Sequence, residues 1–307
     1  MTHASDIVAD WIAVDWGTTN MRAWAMGADG AVRAQSGSDT GMGSLRPEQF
    51  EGALLAVISP WLKPECVTEV IACGMVGARQ GWVEASYRAV PCPPVGGPLT
   101  DAPAHNPRIR IRIVAGLKQD APADVMRGEE TQIAGLIAQR PEFSGPVCLP
   151  GTHTKWADVR AGEVETFTTV MTGEVFALLS TQSVLRHSMG DGWDKAAFES
   201  GVADALAAPE RVTSRLFALR AESLLAGLSP DAARARLSGL LIGLELAGTR
   251  ERWDSGHPVA IIGNGKLARL YADALALKGA RSTIEDADAL TLSGLSTAYT
   301  SLKETAA

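Results

Sequence analysis

The chain has 307 residues, of which 46% are hydrophobic and 21% are charged, so it is long enough for two domains and apolar enough to bury a large core. Its 28 basic and 35 acidic residues give a net charge of −7, which argues against a nucleic-acid partner. It has no run approaching the roughly 18 consecutive apolar residues of a membrane span, so no membrane partner is expected either.

The first predicted elements are three strands at residues 11–16, 21–26 and 31–36, because each is a short apolar or alternating run bounded by turn residues. A helix over residues 47–62 is predicted from apolar side chains at helical spacing. A buried strand at residues 68–73 then runs into Gly74. The proline- and glycine-rich residues 91–107 are predicted to form a loop, and arginines alternating with isoleucines predict a strand that ends at residue 113.

The remaining elements mix helices with strands, which indicates α/β architecture. An amphipathic helix is predicted over residues 123–139. Strands are predicted at residues 147–149, 155–159, 163–171, 259–262 and 281–284. Helices are predicted at residues 173–187, 195–208, 211–226, 230–253, 266–277 and 286–302.

The turn between the first two strands has residues suited to binding phosphate. Gly17 lets the backbone approach a ligand closely, and Thr18 and Thr19 add hydroxyl donors. Asp15, at the end of its strand, could hold Mg²⁺ directly or through water, since hard cations take oxygen ligands. An ordinary hairpin turn explains the same residues equally well.

A second turn with the same donors lies at Gly151, Thr152, His153 and Thr154, and Lys155 adds a positive charge. Two such turns facing each other across a cleft would hold the β- and γ-phosphates of a nucleotide. Taken alone, the second segment is more often a simple turn.

Two glutamates, Glu129 and Glu130, begin the helix that precedes the second turn. One of them could take a proton from an attacking hydroxyl group. Acidic residues are also favoured at any helix N-terminus by the helix dipole. The sequence alone does not rank the two side chains.

A glycine turn at Gly263, Asn264 and Gly265 follows a predicted strand and begins a helix. It superficially fits a dinucleotide-binding fingerprint, but too few residues follow it to build the further strand–helix units of a Rossmann domain. A turn on which an adenosine rests is the better functional interpretation, and a plain strand-to-helix turn is the alternative.

In this order the motifs resemble those of the sugar kinase/actin/hexokinase superfamily. The run Gly-Glu-Glu-Thr-Gln-Ile-Ala-Gly-Leu, which begins at Gly128, is similar to the GDQQAALFG stretch of FGGY carbohydrate kinases. That match implies that Glu129 is the catalytic base, although relatives carry Asp there, so Glu130 remains a candidate. The segment 71–77, which includes Gly74 and Met75, resembles the strand-to-loop segment that shapes the sugar pocket in those kinases.

The whole chain is also similar to the 2-dehydro-3-deoxygalactonokinase family. This similarity is found in residues 11–24, 74–82, 126–137, 149–156, 171–179 and 261–268. It implies an ATP- and Mg²⁺-dependent phosphorylation of 2-dehydro-3-deoxy-D-galactonate. The implied fold is two actin-like (ribonuclease H-like) domains, each a mixed sheet flanked by helices, with an ATP cleft between them. We place the domains at residues 1–115 and 116–307, with the last helix able to pack back on the first.

The resemblance also implies the site residues. ATP and its phosphates would be bound by Gly17, Thr18, Thr19, Asn20, Gly151, Thr152, His153, Thr154, Lys155, Gly263, Asn264 and Gly265, and Mg²⁺ by Asp15. The sugar acid would be bound by Gly74, Met75, Arg79, Gln80 and Arg22. Arg79 is the first choice for the substrate carboxylate, because a guanidinium matches it geometrically, and Arg22 and Arg127 are substitutes.

Other interpretations stay open at this point. The chain could phosphorylate another sugar acid or sugar, or be a non-catalytic actin-like nucleotide-binding module, whereas an NAD-dependent oxidoreductase is disfavoured. The four cysteines lack paired spacing and residues 1–10 lack a basic leader segment, which predicts a cytoplasmic protein with reduced thiols. The sequence does not settle the epimer that is bound, or whether the protein is a homodimer.

Overall fold

The fold is that of a computed structural model, which describes residues 7–306. Residues 1–6, on which the prediction of no leader segment partly rests, lie outside the described residues. Among the helices of residues 7–306, none combines the length and the hydropathy needed to cross a bilayer.

The strands and helices, taken in chain order, mix throughout the described chain. The strands are β1 (Trp11–Trp16), β2 (Met21–Met26), β3 (Val32–Ser38), β4 (Thr68–Cys73), β5 (Tyr87–Ala89), β6 (Thr100–Ala102), β7 (Ile109–Ile113), β8 (Gly116–Asp120), β9 (Ala123–Met126), β10 (Gly145–Leu149), β11 (Thr154–Arg160), β12 (Glu163–Val170), β13 (Val259–Ile262) and β14 (Ser282–Glu285). The helices are α1 (Phe50–Ile58), α2 (Glu129–Gln139), α3 (Thr172–Thr181), α4 (Lys195–Ala207), α5 (Val212–Leu225), α6 (Pro230–Gly248), α7 (Arg250–Trp253), α8 (Gly265–Ala276) and α9 (Ala287–Ala306).

Contacts between residues divide the chain into two compact units. The first contains the chain up to Phe143, the short segment Arg160–Thr166 and the last helix from Ala287 onward. The second contains Ser144–Val159 and Phe167–Asp286. Residues 116–143 therefore group with the N-terminal segment, whereas the sequence placed a boundary near residue 115.

The first unit is built on a mixed six-stranded sheet with the order β3-β2-β1-β4-β7-β6. Strand β1 pairs antiparallel with β2 and parallel with β4, and Asp15 lies opposite Cys73. Because parallel strands end at the same edge of a sheet, the residues that follow β1 and β4 are neighbours. This register brings the first turn beside Gly74.

Helices cover both faces of this sheet. Phe50, Leu54 and Ile58 of α1 pack with one face of the sheet in one buried cluster. Leu295 and Ala298 of α9 pack on the other face, in a cluster that includes Trp11 and Ala13 of β1. Since side chains alternate between the faces of a strand, the continuous apolar run of β1 reflects burial on both sides. The predicted α/β architecture is confirmed.

The second unit contains β10, β13 and β14, nearly all of β11, and residues 167–170 of β12, in a mixed five-stranded sheet with the order β12-β11-β10-β13-β14. Strand β10 pairs antiparallel with β11 and parallel with β13. The turns that follow β10 and β13 therefore lie at one edge of this sheet. Helices α4, α6 and α8 contribute Phe198, Ile242 and Tyr271 to the apolar core beside β10 and β13.

One predicted helix is wrong over its first part. Residues 123–126 form β9, which pairs antiparallel with β8, and α2 begins only at Glu129. Gly128 has a φ of +109°, which is incompatible with a continuous α-helix through this point. The strand β6, at Thr100–Ala102, likewise interrupts the segment predicted as loop.

Candidate active site

Asp15 lies at the end of β1 with its side chain 20% exposed. Its Oδ2 atom accepts a hydrogen bond from Nη2 of Arg22 at 2.5 Å. Its Oδ1 atom lies 3.8 Å from Sγ of Cys73. Arg22 also pairs with Asp288 in the first turn of α9. One carboxylate oxygen is therefore held by a guanidinium, while the side chain as a whole stays accessible.

The turn after β1 is fixed through its backbone, which leaves its side chains exposed. The Gly17 N–H donates to the Asn20 carbonyl at 3.0 Å. Met42 N–H donates to the Gly17 carbonyl and Gly43 N–H donates to the Thr18 carbonyl, at 3.0 and 2.9 Å. Thr18, Thr19 and Asn20 are all exposed. These hydroxyl and amide groups are therefore available to a ligand.

Gly74 and Gly128 bring the start of α2 close to Asp15. Gly74 has a φ of +90°, and a Cβ atom there would lie 2.8 Å from the Trp16 carbonyl and 3.3 Å from Oδ1 of Asp15. A Cβ atom on Gly128 would lie 3.4 Å from the Gly74 Cα. The positive φ favours glycine at both positions, +90° at Gly74 and +109° at Gly128, and at Gly74 the approach of the Trp16 carbonyl also leaves no room for a side chain. The first unit thus places Asp15, Gly74 and the two glutamates of α2 in one region.

The two glutamates of α2 have different surroundings. Glu130 is completely buried, and its carboxylate accepts hydrogen bonds from Gly128 N–H at 2.6 Å and from Thr131 Oγ1 at 3.1 Å. Burial, and secondarily the charge of Glu129, raises the pKa of Glu130 to about 8. Glu129 is only partly buried and accepts a hydrogen bond from Arg127 N–H at 3.1 Å.

The three candidate arginines differ in availability. Arg79 is 78% exposed and has a 3.3 Å hydrogen bond to Glu84, and Gln80 beside it is also exposed. Arg127 is 8% exposed, donates from Nη2 to the Ala85 carbonyl at 2.7 Å and stacks 4.3 Å from the Tyr87 ring. With Arg22 held by two carboxylates, Arg79 is the freest to meet a ligand. Met75, near Arg79, is partly buried.

The second predicted phosphate turn lies between β10 and β11. Two of its residues are exposed and its last two are buried. Thr152 and His153 are exposed, and His153 Nε2 lies 2.5 Å from Oε2 of Glu174. Thr154 is completely buried, and Lys155 is only 6% exposed. The ammonium group of Lys155 donates to Oγ1 of Thr169 at 2.9 Å.

A cavity of about 350 Å³ lies beside this turn. Its lining is drawn from the turn, from helices α3, α6 and α8, and from the segment just before α4, and consists of Gly151, Thr152, Thr172, Gly173, Phe176, Trp193, Arg234, Ser238, Leu241, Ile242, Lys266, Leu267, Leu270 and Tyr271. The glycine turn after β13 directly precedes Lys266 of this lining and lies close to the other turn: a Cβ atom on Gly263 would lie 3.8 Å from Pro150, and Asn264 and Gly265 are exposed. The structure thus brings together two of the predicted nucleotide-binding turns.

The cavity contains two pairs of a cation with an aromatic ring. Lys266 Nζ lies 4.0 Å from the centre of the Trp193 ring, and the Arg234 guanidinium lies 5.2 Å from that of Phe176. Flat rings and positive charges are suited to a nucleobase and its phosphates. The sequence did not identify these side chains, although Phe176 and Lys266 lie in segments that carry the family similarity.

The described residues suit a magnesium ion held mainly by phosphate and water. Within residues 7–306 no group of three or more His, Cys, Asp or Glu side chains could enclose a metal. Mg²⁺ usually binds one or two carboxylates together with substrate phosphates and waters. The accessible carboxylate of Asp15, at a strand end beside the first turn, fits such a partial site.

Comparisons with known proteins agree over nearly the whole chain. A family model described as 2-keto-3-deoxy-galactonokinase matches residues 15–298. A curated protein of Rhizobium meliloti (strain 1021), named probable 2-dehydro-3-deoxygalactonokinase, is 40% identical over 94% of this chain and 96% of its own length. The 2-dehydro-3-deoxygalactonokinase of Escherichia coli (strain K12) is 33% identical over 94% of this chain and 97% of its own.

Solved structures give the same result for the fold. A crystal structure of a candidate 2-dehydro-3-deoxygalactonokinase from Sinorhizobium meliloti is 40% identical and superposes with a TM-score of 0.86, covering 95% of this chain and 99% of that one. An activator of 2-hydroxyisocaproyl-CoA dehydratase from Clostridium difficile, with bound ADPNP, is 12% identical with a TM-score of 0.50, over 96% and 97% of the two chains. This second likeness concerns the fold alone.

Proposed function

The chain belongs to the 2-keto-3-deoxy-galactonokinase family, and from that premise we propose that it transfers the terminal phosphoryl group of ATP to 2-dehydro-3-deoxy-D-galactonate. The product would be the 6-phosphate, formed in galactonate catabolism. The observation that supports this chemistry best is the partly buried carboxylate of Glu129, at the start of a helix whose Gly128 packs against Gly74 beside Asp15.

Glu129 is our candidate for the catalytic base. A base must be ionised and must reach the substrate hydroxyl. Glu130 has no exposed surface, and its raised pKa keeps it protonated near neutral pH. In the proposed step Glu129 takes the hydroxyl proton as the hydroxyl oxygen forms a bond to the γ-phosphorus, and the bond from that phosphorus to the oxygen of the ADP leaving group breaks.

We assign nucleotide binding in the second unit to the cavity next to Gly151. Gly151 and Thr152 line this cavity, and the Gly263–Gly265 turn directly precedes Lys266 of the lining, which supports the phosphate and adenosine roles suggested by the two sequences. Lys266 and Arg234 would add positive charge near a bound nucleotide. The exposed Thr18, Thr19 and Asn20 of the first unit are proposed to contact phosphate as well.

Asp15 is proposed to bind Mg²⁺, directly or through a water molecule. The metal would neutralise phosphate charge, which phosphoryl transfer needs more than covalent help. Arg22 would orient Asp15 through their 2.5 Å hydrogen bond. Arg22 was also proposed to contact the sugar acid. Its hydrogen bond to Asp15 makes its guanidinium less available for that contact.

The carboxylate of the sugar acid is proposed to bind Arg79, next to Gly74, Met75 and Gln80. Arg79 would give up only one long hydrogen bond to Glu84 to do so.

Free cysteines, three of them buried, support the proposed cytoplasmic location, where thiols stay reduced. A homodimer remains a further proposal.

A steady-state assay tests the function directly. The purified protein is supplied with ATP, Mg²⁺ and one acceptor at a time from a panel that contains 2-dehydro-3-deoxy-D-galactonate, its gluconate epimer and neutral sugars. We expect ADP formation that depends on the galactonate-derived acid. ADP formation only with another acceptor would reassign the substrate, and nucleotide binding without any acceptor-dependent turnover would favour the non-catalytic module.

A further inference from the structure

Glu245 is a buried acidic residue to which the proposed chemistry gives no role. It lies in α6 and is only 3% exposed. Its Oε1 atom accepts a hydrogen bond from Trp156 Nε1 at 2.7 Å, and its Oε2 atom accepts one from the Tyr271 hydroxyl at 2.7 Å. Side-chain hydrogen bonds from Thr172 and Thr154 also reach this carboxylate.

The donors around Glu245 come from three different elements. Thr154 and Trp156 belong to β11, directly after the Gly151 turn, while Thr172 begins α3 and Tyr271 lies in α8. Thr154 Oγ1 and the Tyr271 hydroxyl are 2.8 Å apart, so the donors also contact each other. One carboxylate therefore joins three elements that surround the cavity.

The same elements determine the shape of the turn. Glu174 N–H donates to the Thr152 carbonyl at 2.9 Å, and a Cβ atom on Gly173 would lie 2.2 Å from the Gly151 carbonyl. The first turn of α3 thus packs directly against the turn backbone. Thr172 and Tyr271, which hydrogen-bond Glu245, also line the cavity.

A structural role alone would not require an acid at this position. A buried carboxylate loses its hydration, and burial raises the pKa of Glu245. Apolar residues of similar volume often stabilise a core as well as or better than a buried polar group. A fully hydrogen-bonded polar network instead fixes one arrangement of the elements that it joins.

We propose that Glu245 is a positioning residue that holds the Gly151–Lys155 turn and the start of α3 in the geometry that binds the nucleotide. This inference rests on the proposed function in so far as the nucleotide is taken to be ATP. Replacing Glu245 should therefore weaken nucleotide binding and leave the KM for the sugar acid nearly unchanged.

The test uses Glu245→Gln in the full-length protein, because glutamine keeps the side-chain volume but replaces one acceptor oxygen with a donor. We expect KM for ATP and the Kd of ADP to rise by about 10-fold, the value of one hydrogen bond to a charged group. KM for the sugar acid is expected to stay within about 2-fold, because a local change alters only the contacts it makes. Glu222→Gln is the matched control, since Glu222 pairs with Arg236 in the same unit and is absent from the cavity lining.

Trp156→Phe is a second variant, which removes only the donor to Oε1 and keeps an aromatic ring. It should raise the Kd of ADP in the same direction by a smaller factor, and it serves alone if Glu245→Gln does not fold. An unchanged Kd of ADP in the variant that folds, or equal rises for both substrates, would overturn the positioning role. ADP titration does not require turnover, so a wild-type protein without kinase activity would refute the proposed function separately.

Discussion

Nη2 of Arg22 lies 2.5 Å from Oδ2 of Asp15, so a guanidinium from β2 holds one oxygen of the carboxylate at the end of β1. The other oxygen, Oδ1, remains close to Gly74. Arg22 is itself held by Asp288 of the last helix. This chain of contacts fixes the direction of the Asp15 side chain before any ligand binds, which reduces the reorganisation needed at the moment of reaction.

Asp15→Asn is expected to lower kcat by about 10²-fold, because the neutral amide cannot neutralise or orient a metal–phosphate group as a carboxylate does. The measurement is steady-state turnover across a Mg²⁺ titration. Asp10→Asn is the matched control: Asp10 stands just before the same strand and pairs with Arg33 and Lys63. Equal turnover in the two variants would contradict the role of Asp15.

Glu129→Gln should lower kcat by at least about 10²-fold, the usual contribution of a general base, while ADP binding stays nearly unchanged. Glu130→Gln provides the comparison within the same helix turn. It should retain most of the turnover, because Glu130 is buried and already protonated near neutral pH. Near-normal turnover of Glu129→Gln, together with lost turnover in Glu130→Gln, would assign the role of catalytic base to Glu130.

Glu130 should also make stability depend on pH. Its pKa is near 4.5 when unfolded and about 8 when folded, so between these values the folded state binds more protons than the unfolded state. The free energy of unfolding therefore falls as the pH rises through this window, by up to about 1.4 kcal/mol per pH unit.

Glu130→Gln cannot lose this proton, so we expect the variant to gain stability relative to wild type as the pH rises from about 5 to about 8. Urea unfolding at a series of pH values measures the difference. Glu48→Gln, an exposed site in the same unit, is the control. A wild-type–variant difference that is constant across the window would show that Glu130 does not retain its proton.

The sequence predicted the strands near the site well and the helix beside them less well. The bounds of β1, β2 and β4 were predicted as the structure has them, because apolar runs end at clear turn residues. The segment 123–126 was assigned to α2 because its pairing with β8 is a tertiary contact. The positive φ of Gly128, which separates the strand from the helix, likewise cannot be predicted from the spacing of apolar residues.

Within the site, the sequence predicted the residues of the two turns. It did not predict which side chains from distant parts of the chain lie beside them. Glycine and threonine mark the turns at Gly17 and Gly151 by their own conformational and donor properties. Trp193 and Arg234 line one cavity with Gly151 only because segments from different parts of the chain pack around it. Glu245 did leave a signal, as an acidic residue directly between Leu244 and Leu246 in the apolar half of α6.

Arg79→Ala is expected to raise KM for the sugar acid by about 10-fold or more, with KM for ATP unchanged, because a charged hydrogen bond to the carboxylate is lost. Arg79→Lys should recover only part of this loss, since an ammonium cannot form the paired contact. Arg46→Ala, an exposed arginine of the same unit, is the control. If Arg127→Ala instead raises KM for the sugar acid selectively, the substrate carboxylate binds Arg127.

Gly74→Ala tests whether the close packing beside Asp15 matters for both stability and turnover. Alanine at a φ of +90° would be strained, and its Cβ atom would lie 2.8 Å from the Trp16 carbonyl. Gly30→Ala separates these effects, because Gly30 has a φ of +80° but no atom within 4 Å of an added Cβ. The Gly30 variant should lose only about 1–2 kcal/mol of unfolding free energy, the cost of the left-handed conformation.

The Gly74 variant should lose that amount and at least about 1 kcal/mol more, because backbone atoms must move to admit the methyl group. Its turnover should also fall, since Asp15 Oδ1 lies 3.3 Å from the added atom, whereas Gly30→Ala should turn over normally. Urea unfolding and kcat measured on both variants give the two comparisons. Equal stability losses with normal turnover in each would mean that the approach of Gly74 to Asp15 does not constrain the site.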